Sequence, residues 1–299
     1  MTATTVDQLA RRRLGTMLVL ASAIAWSFGG IFAKLVTVDA WTATLFRALA
    51  AAAFLVIVLL IQHRGEAGSV LIRSARAAPA SILVGAVSMV LLVGAFFHTS
   101  VANVIVIYAT APFWSAAMLW LLYRTVPGTR TILASSVAVI GVIIVVAGGL
   151  AAASYLGDLL ALAMTITFIY AAIALARAPE ADATAVTLLS CLACAIACAP
   201  LASPMSLTGQ DFLWLTLFGV MTSGIAYVCF MAGARLISTT EAGLLGVTEV
   251  ALAPFWSYLI LSEIPPATTF IGGALIVVTV LWFLLGPGTA QPKPSREAA

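Results

Sequence analysis

Glu249 is the residue whose type and position most demand a chemical explanation. It is a carboxylate inside a long apolar run that begins near Ala242. A charge at such a place costs several kcal/mol unless it is paired, hydrated or protonated. It can neutralise a ligand ammonium, carry a proton, or pair with Arg47, which lies at similar depth in another run. Glu249, Trp256 and Glu263 recur at seven-residue spacing, which puts them on one helical face. Trp26, Tyr108, Trp114, Tyr170 and Tyr227 also lie within apolar runs. Together such rings can wall a cavity for flat or cationic molecules, although any single one is more often packing. His98 closes the third run, where it can meet a ligand or titrate. Asn103 can hydrogen-bond a ligand or a neighbouring helix. Arg47 reads as a structural or coupling charge. Pro112 and Pro254 sit mid-run, where proline frees a carbonyl and kinks a helix, so they read as hinges.

The elements that must position these groups follow from composition. Of 299 residues, 63% are hydrophobic and 8% charged; soluble domains carry about 25% charged residues. Apolar runs of spanning length, about 20 residues, begin near Leu14, Ala40, Pro79, Val101, Thr131, Leu156, Ala183, Phe212, Ala242 and Ala267. The expectation is an all-α integral membrane protein of ten helices. The runs do not alternate apolar with polar residues, as barrel strands would. The first has a basic flank but no convincing cleavage site, and nine more follow.

Little chain is left for a soluble catalytic domain. The two histidines, His63 and His98, are too few for a metal quartet, and no Gly-rich phosphate loop is present. An enzyme, a resident metal, a cofactor and a nucleic-acid partner are therefore not expected. Cys191, Cys194 and Cys198 share one face of the seventh run, with Cys229 in the eighth, and read as apolar packing.

Charge placement sets an orientation. With loops taken alternately as cytoplasmic and external from an inside start, twelve of the fourteen basic residues fall inside. The exceptions are Lys34 and Arg47. The positive-inside rule then places both termini in the cytoplasm of a cell inner (plasma) membrane. Trp41, Tyr155 and Trp214 fall at outer ends and Trp120, Tyr123 and Trp282 at inner ones, as interfacial anchors.

The chain also repeats itself. Ala-Pro-Phe-Trp-Ser occurs at 111–115 and again at 253–257, an offset of 142. The same offset carries Leu14-Gly15 onto Leu156-Gly157. Each half has five runs, an odd number, so the second half enters the membrane from the opposite side. Inverted repeats are the architecture of many secondary transporters, with a site near mid-membrane between the halves.

The residues also resemble a known family. Thr99 to Pro112 is similar to the fourth-helix pattern of the EamA domains of the drug/metabolite transporter superfamily. Leu45-Phe-Arg47 resembles the family's second-helix signature, and Ser262-Glu263 the end of its ninth helix. Arg124 stands where the family usually has an acidic residue. The expected organisation is a tail over 1–13, a first repeat over 14–151, a second over 152–286 and a tail over 287–299. The resemblance implies export or exchange of small metabolites, amino acids among them, with nucleotide-sugar exchange as the alternative. It leaves open proton coupling and whether the protein is a monomer or a homodimer.

Overall fold

A computed structural model describes residues 3–124, 128–151, 155–237 and 239–285. The expected tail over 287–299 lies outside them. All regular elements among the described residues are helical. They are α1 (Ala3–Ser27), α2 (Gly29–Leu35), α3 (Ala40–His63), α4 (Ala67–Ala77), α5 (Pro79–His98), α6 (Val101–Tyr108) and α7 (Ala111–Tyr123). The second half holds α8 (Thr129–Ala151), α9 (Tyr155–Ala176), α10 (Ala183–Cys198), α11 (Gly209–Phe218), α12 (Tyr227–Ala234), α13 (Thr239–Leu261) and α14 (Ala267–Leu284).

Among the described residues six stretches are long and apolar enough to cross a membrane, and α6 with α7, bent by 43°, makes a seventh if the pair is one span. Three shorter apolar helices, Ala183–Cys198, Thr248–Leu261 and Ala267–Phe283, fall where the remaining runs were expected. Residues 3–13, expected as a tail, are helical and run without a break into the first apolar run as part of α1.

Helix starts are written into local chemistry. Pro79 and Pro112 occupy first turns, where a missing N–H removes no hydrogen bond. Thr208 and Asp211 form a capping box at α11. Asp39 caps α3 by accepting from the backbone of Trp41 and Thr42 and from the Thr42 hydroxyl at 2.6 Å. Burial alone would raise the Asp39 pKa, but the Thr42 and Trp41 hydrogen bonds outweigh it and hold the carboxyl below its ordinary value. A depressed folded value means the cap stabilises above the ordinary carboxylate range and is lost as pH falls through the lowered value. Asp39→Ala should lower stability by about 1 kcal/mol, measured as a fall in Tm at neutral pH that narrows in acid. An equal Tm in both proteins at neutral pH would remove the cap's role.

The packing carries the repeat. α5 lies against α9, and α1 correspondingly against α12 and the segment before it. α6 and α7 lie against α9, as α13 lies against α1. The pairs α3 with α10 and α8 with α14 each join equivalent helices of the two halves. The larger contacts between halves thus have counterparts, which is the arrangement of two repeats.

Three irregularities interrupt this regularity near the bundle interior. Phe28 separates α1 from α2, and Ala109-Thr110 separates α6 from α7. Between α11 and α12, residues Gly219–Ala226 form a π-helix. Such segments cluster at functional sites. This one lies where α3 approaches closely: a Cβ on Gly219 would collide with the Arg47 carbonyl, and one on Gly224 would sit 2.6 Å from the Phe54 ring.

Candidate functional site

The interior between the halves is built from aromatic rings. Phe28, at the α1–α2 break, stacks on Trp256 of α13 with centroids 5.1 Å apart and planes at 18°. It also meets Phe32 of α2, which in turn meets Trp214 and Phe218 of α11. On the far side of Phe218 the Arg47 guanidinium lies over the ring, 4.4 Å from its centroid. Trp26 donates from Nε1 to the Thr222 carbonyl of the π-helix at 2.8 Å and packs on Phe230. Helix breaks position the key rings, since Phe28 and Thr222 both lie in irregular backbone.

Glu249 is buried on α13, two turns before Trp256. Among the described residues no ion pair or hydrogen bond to it is found. α13 packs against α6, the helix that carries Tyr108. Tyr108 packs edge-on against Phe168 of α9. Glu249 and Trp256 thus share α13, and Tyr108 lies on a helix packed against it.

The alternative pairing of Arg47 with Glu249 is not what forms. Arg47 is 3% exposed and donates from Nη2 to Ser223 Oγ at 2.9 Å and Thr222 Oγ1 at 3.4 Å. The π-helix brings those hydroxyls onto α3, a juxtaposition that no helical periodicity encodes.

Several expected ligand contacts are instead engaged elsewhere. Asn103 donates to Asp158 Oδ1 at 2.9 Å and to Thr99 at 3.2 Å, and accepts from Thr269. Thr99 also donates to Asp158, at 2.7 Å. This knot ties α6, α9 and α14 together, and it uses the Asn103 amide for structure. Tyr227 donates to the Ala183 carbonyl at 3.2 Å. His98 is exposed at the end of α5. Trp114 and Tyr170 are half-buried and show no ring or polar contact among the described residues.

The prolines do not form a symmetric pair. Pro112 lies in the first turn of α7, just after the bend, whereas Pro254 lies inside a helix that continues through it. Trp214 also differs from the expected outer anchor: its Nε1 is fully buried and its ring packs on Phe32. Trp41, Tyr155, Trp120 and Trp282 are exposed, as anchors would be. Among the described residues no cluster of three His, Cys, Asp or Glu could hold a metal ion.

Sequence reasoning missed Asp158 and the cluster of Phe28, Phe32 and Phe218. Asp158 was visible as a lone carboxylate at the start of the sixth run. The phenylalanines carry no signal that separates them from ordinary packing.

The model of the EamA-like transporter family matches residues 13–147 and again 154–285. The chain belongs to the EamA-like transporter family. Two matches in tandem account for the two repeats seen in the packing. The protein is accordingly a multi-pass membrane transporter of small molecules and not an enzyme. No curated protein matches the chain. Among solved structures, one titled "Crystal structure of protein" is 20% identical, with 90% of this chain and 96% of that chain covered and a TM-score of 0.62. That likeness speaks to the transporter's fold alone.

Proposed function

We infer that this transporter exports small amphipathic metabolites, amino acids among them, by alternating access through the region around Glu249. The observation that carries the reading is a buried carboxylate with no cation partner among the described residues, on the same helix as Trp256, whose ring stacks on Phe28 across the two halves. A carboxylate in that position costs about 3 kcal/mol on insertion scales, and an arriving ammonium would offset that cost. The rings of Phe28 and Trp256 suit the apolar part of the same molecule.

The first test is direct. Proteoliposomes should take up radiolabelled amino acids, with competition from aromatic ones, and a flat response across the panel would count against this substrate class.

Orientation is part of the proposal, with both termini cytoplasmic in the inner membrane. Gly68 of α4 has open space around its Cβ position. Gly68→Cys should react with an impermeant maleimide from the cytoplasmic side alone, and external labelling of intact cells would reverse the topology.

A further inference from the structure

A cavity of about 280 Å³ lies where the end of α3, the start of α10 and the end of α12 meet, and it shares no lining residue with the Glu249 helix or the aromatic cluster. That is smaller than the roughly 300–1,000 Å³ of pockets for drug-sized ligands, so it suits an occupant the size of a lipid headgroup. One wall is a single face of α12. Val228, Met231, Ala232 and the C-cap Arg235 recur at helical spacing, apolar along the helix and cationic at its end.

The facing wall is polar and only partly satisfied. Gln62 Oε1 accepts from Thr184 Oγ1 at 3.1 Å, which leaves both amide hydrogens of Gln62 to donate. Arg235 makes no ion pair or hydrogen bond among the described residues. Asp182 Oδ1 caps α10 by accepting from Ala185 N at 2.9 Å, while Oδ2 meets His63 Nε2 at 3.3 Å. Charged partners usually approach to about 2.7–2.9 Å, so Oδ2 keeps capacity for a stronger donor.

The cavity opens towards lipid. Gln62, Ala232 and Arg235 are exposed, and exposed apolar residues flank the lining along the chain, Leu60 and Ile61 on α3 and Ile225 before α12. Polar pockets between helices at the cytoplasmic boundary are places where lipid headgroups bind. Charge decides which headgroup. A purely anionic one would satisfy Arg235 and Gln62 but face Asp182, and a lone ammonium would do the reverse. A phosphate joined to a primary ammonium satisfies all three.

We propose that this cavity holds a phospholipid by its phosphoethanolamine headgroup, with Arg235 and Gln62 on the phosphate, Asp182 on the ammonium and an acyl chain along Val228, Met231 and Ala232. The lipid then ties α3 of the first repeat to α10 and α12 of the second. Its placement in the inner leaflet rests on the orientation proposed above; its binding does not.

The test is thermal unfolding of the purified full-length protein in detergent, titrated with phosphatidylethanolamine, phosphatidylcholine and phosphatidylglycerol of matched chains, and with free O-phosphoethanolamine. Phosphatidylcholine keeps both charges but has no ammonium N–H, and phosphatidylglycerol has no cation. Phosphatidylethanolamine should raise the Tm saturably, with a half-saturating concentration at least ~10-fold below the other two lipids, as expected for a hydrogen bond to a charged group. Asp182→Asn retains a good helix cap and should bring phosphatidylethanolamine to the level of phosphatidylcholine. Arg235→Gln should weaken all three lipids, and Ala232→Phe, which fills the cavity, should remove the stabilisation. Arg73→Gln, at an exposed position of α4 outside the cavity, should change nothing.

Equal stabilisation by the three lipids in the wild type overturns the proposal. So does a preference for phosphatidylethanolamine that survives Arg235→Gln and Ala232→Phe, the two variants that carry the test should Asp182→Asn fail to fold. A loss in Arg73→Gln matching that in Arg235→Gln would reduce the effect to general surface charge and sink the site. Free O-phosphoethanolamine that protects as well as the lipid would make the occupant a soluble phosphoester and overturn the lipid assignment.

Discussion

Glu249→Gln should abolish substrate flux in reconstituted vesicles while the protein remains folded and inserted. The substitution keeps shape and hydrogen-bonding capacity and removes only the charge. The buried carboxylate of α13 has no cation beside it among the described residues, so losing its charge leaves no protein group uncompensated. A structural carboxylate would give a different result, because an orphaned partner would destabilise the fold. The bundle should therefore tolerate the change, with a Tm within a few degrees of wild type or above it. Flux should fall by about 100-fold, equivalent to about 2.7 kcal/mol and in the range for a hydrogen bond to a charged group. Normal flux with normal folding would remove Glu249 from the pathway.

Gly15→Ala and Gly157→Ala should open opposite ends of the transporter. The two glycines are equivalent at the offset of 142, and each lies under the turn between two helices. A Cβ on Gly157 would be 2.6 Å from the His98 carbonyl carbon and from Thr99 N and Cβ. A Cβ on Gly15 would be 2.7 Å from Leu236 Cβ and 2.8 Å from Ile237 Cγ2. Backbone lies directly in the way at Gly157, so the α9 N-terminus must lift from the α5–α6 turn. Gly15 must part likewise from the turn after α12. Overpacking of this kind costs about 1–3 kcal/mol, enough to move a two-state equilibrium by about 5- to 150-fold.

In a background without the native cysteines, a reporter cysteine at Ala109, beside the α6–α7 bend, measures the effect. Gly157→Ala should speed its labelling by an impermeant maleimide from outside, and Gly15→Ala from the cytoplasm. If both variants lost thermal stability with labelling unchanged from either side, these contacts would be packing and not closures.

Much of the architecture was legible in the sequence because membrane helices obey local rules. Helices begin at Ala40, Pro79, Val101, Ala183 and Ala267, the residues at which apolar runs were expected to start. Caps and prolines act within one turn, so a boundary such as Asp39-Ala40 needs no tertiary information. The duplication was equally visible, since identical pentapeptides carry it. Helical structure does not stop at the first apolar residue: Arg11, Arg12 and Arg13 are good helix formers and continue α1 towards its N-terminus. At that end Arg12 reaches Glu241 of α13, an exposed pair that joins the two repeats.

The site was legible only where a residue's chemistry is unusual for its surroundings. Glu249 was conspicuous because a carboxylate in an apolar run is unusual, and helical spacing relates it to Trp256 on the same helix. Asn103 was conspicuous for the same reason, yet Thr99, Thr269 and Asp158 complete its hydrogen bonds from residues 4 to 166 positions away. Type alone does not distinguish a satisfied amide from one that awaits a ligand.

The sequence by itself determined the helices, their duplication and the presence of two intramembrane charges, because each depends on interactions within a few residues or on counting. Tertiary structure decided what those charges face. Arg47 meets Phe218 and Ser223 rather than Glu249 because Gly219 lets α3 lie against a π-helical segment, which turns the hydroxyls inward. That outcome depends on backbone irregularity and on close approach between distant elements, and neither leaves a periodic trace in the sequence.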